Sequence, residues 1–523
     1  MHPRTHLLLA GLALTLAGPA RADVKPHPLF TDHMVLQRDR DMIVWGTARS
    51  KEAVTVTLDG KSNKSVADED GKWKVTLPKM AAGGPYTLAV EGPNNKVEFQ
   101  DVMVGEVWVC SGQSNMEWPL SRSYQSQADI EKSANPMIRL YTVKKRPSGE
   151  PLADCEGKWE HCGPDTSKSF SAVGYYFGRD LQKALNVPVG LIHTSWGGTP
   201  AQAWTSRDKL SGIDALKYYN DDYDKLAKAY DPEKAEADYR EARAKYDAAV
   251  AKAREEGKSV PKAQAKGPQK RQPPGRNPQN AATLYNGMIA PLLPFPIAGA
   301  TWYQGESNNG KAYEYRTLLP AMIEDWRARW GCGEFPFLVV QLAPFWNNDS
   351  SGQSYAELRE AQVMTAQKLP KVGVAVITDV GDERDIHPTK KEPVGQRLAL
   401  LARDIAYGQH VASSGPVYKG MKVEGNRVIL SFDHVGGGLE CRGDKLVGFE
   451  VCGDDRKFQP ATAVIQGDTV VVTCDQVEKP EAARYGFRNY VAGLNLWNKD
   501  GLPASPFRTD SYPGVTEKAG GRR

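Results

Sequence analysis

Residues 107–120 read VWVCSGQSNMEWPL, an apolar run that passes directly into small and polar residues. Four later runs have a similar texture: VPVGLIHTSWGG (187–198), IAGATWYQGES (297–307), FPFLVVQLAPF (335–345) and KVGVAVITDVGD (371–382). Unbroken runs rich in Val and Ile are typical of parallel strands that are buried on both faces. Because sites in such sheets form beyond the carboxyl ends of the strands, these polar ends predict one shared site.

The regions on either side of these runs have a different pattern. Residues 24–97 and 415–511 contain short strand-like segments separated by Gly, Asn and Asp, which predicts small antiparallel β domains. Residues 206–280 instead combine a helical pattern with a basic stretch rich in Pro and Gly. We interpret them as a helical excursion followed by a flexible loop rather than as a lid or a partner-binding arm.

The predicted fold is α/β, with a parallel sheet buried on both faces and flanked by N- and C-terminal β domains. A chain of 523 residues is too long for one compact core, so several domains are expected. The predicted segments are a signal peptide (1–22), an N-terminal β domain (23–97), the first part of the α/β domain (98–205), the helical insertion with its basic loop (206–280), the second part of the α/β domain (281–412) and a C-terminal β domain (413–523).

The N-terminus has the three parts of a secretory signal. Arg4 provides the basic start, residues 7–16 the apolar middle, and Ala20 and Ala22 the small-residue cleavage site. The apolar middle is too short for a permanent span, so we predict an exported protein, periplasmic or secreted, with no membrane anchor. Removing residues 1–22 takes away two arginines and lowers the formal net charge from +4 to +2, which does not favour a nucleic-acid partner.

The chain has seven cysteines, an odd number, so at least one is unpaired within a single oxidised chain. The preferred pairs are Cys155 with Cys162, and Cys452 with Cys474. No spacing resembles a zinc site and the histidines are scattered, so no metal and no cofactor are predicted.

Ser114 is the first candidate for chemistry. It follows a strand-like run and lies between Gly112 and Asn115, where main-chain amides converge on a neighbouring oxygen. This arrangement is similar to the exposed turn of a hydrolase nucleophile, although the Gly-x-Ser-x-Gly motif is absent. The alternative is a serine that caps the following helix.

A serine nucleophile needs a base, and His387 is the candidate. It follows another apolar run, and Asp379, Asp382 and Asp385 precede it closely. A carboxylate beside imidazole fixes the tautomer and stabilises the cation that forms when the serine gives up its proton. The alternative is a solvated acidic loop.

Two more strand ends provide hydrogen-bond donors. Gly197 and Gly198 follow one run, and Gln304, Glu306 and Asn308 follow another. Glycine amides and side-chain amides aimed at one point are what a tetrahedral acyl-transfer intermediate requires.

Together these blocks resemble the SGNH (GDSL-type) hydrolases, and more narrowly the sialate O-acetylesterase-like carbohydrate esterases. The resemblance covers about residues 98–410. The matching blocks, in chain order, are GQSNMEW (112–118), WGGTPAQAW (196–204), WYQGESN (302–308) and DIHP (385–388) with VGQRLALLA (394–402). The resemblance implies the SGNH-hydrolase fold, an α/β/α sandwich with a parallel sheet, here flanked by β-sandwich-like domains. It also implies Ser114 as nucleophile, His387 as general base, and an oxyanion hole formed by the Ser114 amide and an amide of Gly197 or Gly198.

The chain departs from the superfamily pattern at two places. The expected oxyanion-hole Asn is missing after Gly305, so Gln304 is our first substitute and Asn308 our second. The acid usually lies three positions before the histidine, where this chain has Arg384. Asp385 is therefore the predicted acid, with Asp382, or a dyad without a decisive acid, as alternatives.

The predicted substrate is an acetylated carbohydrate. The side chains expected to contact it are Gln113, Asn115, Trp118, Trp302 and Glu306, and Trp204 and Trp346 are further candidate stacking platforms. The resemblance implies O-acetyl sialic acid or acetylated hemicellulose such as xylan or xyloglucan. A glycosidase using Glu117 and Glu306, or a non-catalytic sugar-binding protein, are the alternatives.

Overall fold

The computed structural model describes residues 23–257, 267–347 and 349–517, so the predicted signal peptide lies outside the described residues. The strands up to the end of the central sheet are β1 (Lys25–Pro26), β2 (Val35–Gln37), β3 (Met42–Thr47), β4 (Ala53–Leu58), β5 (Lys61–Val66), β6 (Lys72–Leu77), β7 (Gly83–Glu91), β8 (Lys96–Gly112), β9 (Asn135–Thr142), β10 (Trp159–Cys162), β11 (Val189–Ser195), β12 (Gly299–Tyr303), β13 (Phe337–Val340) and β14 (Val372–Ala375). The helices are α1 (Ser114–Glu117), α2 (Gln127–Glu131), α3 (Pro164–Ser167), α4 (Ala172–Leu185), α5 (Arg207–Ser211), α6 (Tyr218–Lys228), α7 (Pro232–Glu255), α8 (Ala312–Trp330), α9 (Ser354–Lys368) and α10 (Glu392–Ile405). The C-terminal strands are β15 (Val417–Glu424), β16 (Arg427–Asp433), β17 (Leu439–Cys441), β18 (Phe449–Cys452), β19 (Gln459–Pro460), β20 (Thr462–Gln466), β21 (Thr469–Thr473), β22 (Ala482–Tyr485), β23 (Leu496–Asn498) and β24 (Phe507–Arg508).

The central sheet has the strand order β10-β9-β11-β8-β12-β13-β14. All neighbouring strands in this path are parallel except β10, which pairs antiparallel with β9 at the edge. The sheet is therefore mixed rather than wholly parallel as predicted. Its carboxyl ends still meet on one side, because β8, β11 and β12 run in the same direction.

Helices cover both faces of this sheet. Alternate residues of a strand point to opposite faces, so Val107 and Val109 belong to the apolar cluster that includes α8 and α9. Trp108 and Cys110 belong to the cluster that includes α4 and α10. The result is three layers, and burial on both faces explains why the core strands are apolar without interruption.

One strand, β8, connects the N-terminal β region to the central sheet. It has 17 residues, of which the first six alternate between exposed and half-buried and the rest are buried. Its first half pairs with β7, and its second half pairs with β11 and β12. The predicted boundary at 97/98 therefore falls inside a continuous strand.

Gly112 ends β8 in a conformation that favours glycine. Its φ is +140°, and a Cβ at this position would lie 2.2 Å from the main-chain oxygen of Tyr303. No other residue fits this close approach without a shift of β12. The chain then turns through Gln113 into α1, which begins at Ser114.

The remaining regions frame the core. The predicted insertion contains α5, α6 and α7, and part of its basic loop, residues 258–266, lies outside the described residues. The C-terminal strands form two four-stranded sheets and one two-stranded sheet around their own apolar cluster. Within the described residues, no helix combines the length and apolar character needed to cross a membrane.

The structure does not form the preferred disulfides. All seven cysteines, each within the described residues, are free, so neither Cys155 with Cys162 nor Cys452 with Cys474 is paired. Cys155 is buried and contacts the hydroxyl of Tyr141 at 3.4 Å, as a packed thiol does.

Candidate active site

Ser114 and His387 meet at the carboxyl end of the central sheet. Ser114 is the first residue of α1, directly after β8, and His387 lies in the loop between β14 and α10. His387 Nε2 is 2.9 Å from Ser114 Oγ, which is hydrogen-bond distance for a serine and its base. The structure thus brings together two side chains that are 273 positions apart in the sequence.

Asp385 lies beside the other ring nitrogen of His387. Its Oδ1 accepts the main-chain N–H of His387 at 2.8 Å and is 3.6 Å from His387 Nδ1. The carboxylate side chain is 56% exposed, so water screens its interaction with the imidazole. Asp382 instead accepts the N–H groups of Arg384 and Asp385, at 2.8 and 3.0 Å, and so stabilises the turn.

Trp118 supports the imidazole from the side. Its ring stacks on His387 with centroids 5.4 Å apart and planes at 20°. The Arg122 guanidinium lies 4.0 Å from the centroid of the Trp118 ring. Trp118 is only 9% exposed, so its position suits support of His387 better than the predicted contact with substrate.

The environment of His387 favours its neutral form. Partial burial lowers its pKa below the ordinary value of 6.5, and the nearby cations of Lys391 and Arg122 act in the same direction. Asp385 opposes them and raises the pKa. A neutral imidazole is the form that accepts the serine proton.

A buried polar network next to Ser114 and His387 centres on Asn115. The Asn115 amide donates to Glu306 Oε1 at 2.5 Å and to the main-chain oxygen of Ile386 at 3.0 Å. Lys391 Nζ donates to Asn115 Oδ1. Asn115 and Glu306 therefore hold the site together, and neither side chain is placed to contact a substrate.

The two charges of this network perturb each other. Burial lowers the pKa of Lys391 to about 7, although Glu306 and Asp385 partly oppose the shift. Burial raises the pKa of Glu306, and the Asn115 amide and Lys391 partly oppose it. Sequence reasoning missed Lys391, because a pair of lysines before an amphipathic helix is typical of a solvated surface.

The glycine turn of residues 197–198 packs against Ser114. A Cβ on Gly197 would lie 3.2 Å from the Ser114 Cβ, which places the main chain beside the serine. The Gly197 N–H already donates to Glu117 Oε2 at 2.6 Å, and Glu117 also pairs with Lys145. Gly198 has a φ of +73° and makes no such contact with Glu117.

The two candidate amides are committed to buried partners. Gln304 is fully buried, and its Nε2 donates to the Thr199 carbonyl and to Asn308 Oδ1. Asn308 Oδ1 also accepts the Ala201 N–H at 2.9 Å. Gln304 and Asn308 hold neighbouring loops together, and the expectation that they stabilise the oxyanion is not supported by these contacts.

Gln113 also has a scaffold role. It is 3% exposed, and its Oε1 accepts the N–H groups of Ser307 and Gly305 at 3.2 and 3.4 Å. These bonds join the turn before Ser114 to the end of β12.

The tryptophans divide into core and surface. Trp302 is predicted to contact the substrate, but it is fully buried in this structure, with T-shaped contacts to Trp204 and Trp326. Trp204 is equally buried. Trp346 is 61% exposed, and its main-chain N–H donates to the main-chain carbonyl of Glu383 at 3.0 Å, in the loop that carries His387.

The two carboxylates required by the glycosidase alternative are both engaged by other groups of the protein. Glu306 is 8% exposed and bonded to Asn115, and Glu117 is bonded to Gly197 and Lys145. Neither carboxylate is placed as a free acid or base for a glycosidic bond.

Comparison with family models identifies residues 104–263 and 275–403, more than half of the chain, as "carbohydrate esterase, sialic acid-specific acetylesterase". The chain belongs to this family of carbohydrate esterases. The match contains Ser114, His387 and the glycine turn. A member of this carbohydrate esterase family is a carboxylic ester hydrolase, and carbohydrate O-acetylesterase function is supported.

Individual relatives agree with the family. The chain is 28% identical to the human sialate O-acetylesterase over 530 residues, which is 92% of each protein. It is 30% identical to the rat sialate O-acetylesterase over 441 residues, 77% of each. A crystal structure of a carbohydrate acetylesterase from Xanthomonas citri superposes with a TM-score of 0.79 and 38% identity, covering 94% of this chain and 100% of that one.

Proposed function

We propose that this protein is an exported serine O-acetylesterase of the SGNH type that removes acetyl groups from sugars through an acetyl-enzyme intermediate. The observation that carries the proposal is the 2.9 Å contact between Ser114 Oγ and His387 Nε2 at the carboxyl end of the central sheet. Family membership supplies the reaction class, and this contact supplies the nucleophile and its base.

The first half of the proposed reaction uses the contacts of Ser114, His387 and Asp385. Ser114 Oγ attacks the acetyl carbonyl while His387 Nε2 takes its proton, and the imidazolium is stabilised by Asp385 on the Nδ1 side. The tetrahedral intermediate then collapses. His387 gives the proton to the ester oxygen of the sugar as the bond from that oxygen to the acetyl carbon breaks, so the sugar leaves with a free hydroxyl and the acetyl group stays on Ser114.

The second half repeats these steps with water as the nucleophile. His387 takes a proton from water as it attacks the acetyl-enzyme, and returns it to Ser114 Oγ as acetate leaves. No cofactor enters either half of this scheme.

Main-chain amides stabilise the oxyanion in this proposal. Ser114 is at the first position of α1, where helix N–H groups lack partners within the helix. The second donor is the Gly198 N–H, because the Gly197 N–H is engaged by Glu117. Glu117 then has a positioning role, since it holds the glycine turn against Ser114.

Export is proposed from the N-terminal sequence alone. The basic start, apolar middle and Ala-x-Ala end of residues 1–22 predict cleavage after Ala22. Mass spectrometry of the protein recovered from the periplasm or medium would then show a chain that begins at Asp23. Recovery of the full-length chain from the cytoplasm would contradict export.

The sugar is proposed by analogy with the relatives. Sialate O-acetylesterases and a carbohydrate acetylesterase both match this chain. O-acetylated sialic acid is therefore compared with acetylated xylan or xyloglucan fragments, which the sequence resemblance adds as the second substrate class. Trp346 is our candidate platform for a sugar ring, because an exposed indole beside the catalytic loop offers an apolar face.

The experiment measures acetate release from both substrates by the purified protein, Ser114→Ala and Trp346→Ala. We expect release from at least one sugar, its loss in S114A, and a raised KM with near-normal kcat in W346A. Tyr313→Ala, which removes another exposed aromatic ring, is the matched control. Acetate release by S114A at the wild-type rate would contradict the proposed nucleophile, and an unchanged KM in W346A would contradict the platform.

A further inference from the structure

Three possible metal ligands meet near the start of β8, away from Ser114 at its far end. They are His33, from the loop before β2; Asp101, in β8; and His161, in β10. The side chains are 40%, 27% and 47% exposed, so the cluster is open to solvent. Because its members come from three distant parts of the chain, their spacing gives no metal signature, and the sequence predicts none.

The three facing atoms form a compact triangle. His33 Nδ1 and His161 Nε2 each lie 2.8 Å from Asp101 Oδ2, and the two nitrogens are 3.2 Å apart. Tetrahedral zinc with bonds of about 2.0–2.1 Å separates its ligand atoms by about 3.3 Å. The N···N edge of 3.2 Å is close to this size, and the two edges to Asp101 Oδ2, at 2.8 Å, must lengthen by about 0.5 Å when the ion binds.

Hydrogen bonds are one way to satisfy this triangle, because both nitrogens can donate to Asp101 Oδ2 from positions 3.2 Å apart. If one nitrogen instead accepts from the other, its lone pair is used there, and its 2.8 Å contact with the carboxylate oxygen has no proton. A cation at the centre of the triangle is the other arrangement that engages all three atoms, with each nitrogen offering its lone pair.

Arg139 completes the surroundings. It is 2% exposed, and its Nη2 donates to Asp101 Oδ1 at 3.1 Å and Oδ2 at 3.0 Å. A hydrogen-bonded carboxylate is a common feature behind metal ligands, since such bonds fix its orientation. The positive charge of Arg139 also works against a cation, so neutral imidazoles and an ionised Asp101 are needed for binding.

We propose that His33, Asp101 and His161 bind one divalent zinc-type ion, with water at the remaining position. Two imidazoles and a carboxylate are a donor set that suits Zn²⁺. The ion would join the loop before β2 to the shared strand β8 and to the edge strand β10. Its role is structural, because it links the N-terminal β region to the central sheet at the end remote from Ser114.

The test uses Zn²⁺ itself with the full exported chain. Chelator-treated protein is dialysed against Zn²⁺, and metal content and thermal midpoint are measured for wild type, His33→Ala and His161→Ala. The matched control is His410→Ala, which removes an exposed histidine outside the cluster. The two cluster histidines are themselves partly exposed, so their truncation leaves the core intact, and circular dichroism checks this.

We expect one Zn²⁺ per chain in wild type and H410A, and loss of at least tenfold in affinity in H33A and H161A. At a hundredfold excess over Kd, zinc should raise the thermal midpoint by about 2 °C or more in wild type and in the H410A control. It should not do so in H33A or H161A. Acetate release at moderate temperature should persist in all variants, which separates this proposal from the one about Ser114. Equal zinc binding by H161A and wild type, or no binding by wild type, would overturn the proposal.

Discussion

The amide of Asn115 donates to the main-chain oxygen of Ile386 at 3.0 Å. These residues are immediate neighbours of Ser114 and His387 in the sequence, so one hydrogen bond links the turn that carries Ser114 to the loop that carries His387. Lys391 and Glu306 hold the same amide from two other sides. The distance between the serine and its base therefore depends on a buried network as well as on the sheet.

Lys391→Met should lower kcat by about 10- to 100-fold, because the Asn115 side chain loses a partner and the catalytic pair loses its alignment. The acidic limb of kcat/KM against pH should also move to higher pH. The lysine is charged below its pKa of about 7 and holds the pKa of His387 down, so its removal raises that pKa. Lys390→Met, which changes the exposed neighbour, is the control. Identical pH profiles for K391M and K390M would contradict this account.

Asp385→Asn should reduce kcat less than His387→Ala does, because its carboxylate is 3.6 Å from Nδ1 and half exposed. In the wild type the acidic limb should lie below pH 6.5, since burial lowers the pKa of the base. Asp385 raises that pKa, so D385N should move the limb to still lower pH. Asp382→Asn should leave the limb in place, because Asp382 bonds only the turn. A shift in D382N but not in D385N would assign the acid to Asp382.

Trp118→Ala should lower kcat by about tenfold and leave KM for a small aryl acetate nearly unchanged, because the ring positions His387 rather than the substrate. Trp118→Phe keeps an aromatic face against the imidazole and should recover most of the activity. Steady-state kinetics on the same ester distinguish the two roles. A raised KM with normal kcat in W118A would show that the indole contacts substrate after all.

Glu117→Ala should lower kcat by about tenfold, because the glycine turn loses the acceptor of its Gly197 N–H. Glu117→Gln keeps an oxygen that accepts this N–H and should retain most of the activity. Thermal midpoints of the two variants provide the folding control. A higher kcat in E117A would instead mean that the carboxylate occupies the place of the oxyanion.

Much of the site could be predicted because its main residues follow strand ends. Ser114 lies just after the buried strand β8, and His387 lies in the loop that follows the buried strand β14. Parallel strands bring such ends together at one edge of the sheet. Trp302 shows the limit of this reasoning. It lies within β12, where alternate side chains point to opposite faces, and its ring enters the core beside Trp326.

The other parts of the candidate site depend on contacts between distant residues, which a sequence pattern does not contain. Glu117 meets Gly197, and Lys391 meets Asn115, only after the sheet has assembled. The boundary at 97/98 has a similar cause. The pattern of β8 changes from half-exposed to buried near residue 101, which resembles a change of domain, although the strand simply enters the central sheet.

The most direct test of the central claim is to trap the acyl-enzyme. The protein would be mixed with an aryl acetate, quenched in acid during turnover, digested and analysed by mass spectrometry, with Ser114→Ala in parallel. We predict one added acetyl group on the peptide that contains Ser114, absent in S114A, whose kcat falls by at least about 10³-fold. An acetyl group on another residue, or turnover by S114A at the wild-type rate, would contradict the assignment of Ser114 as the nucleophile.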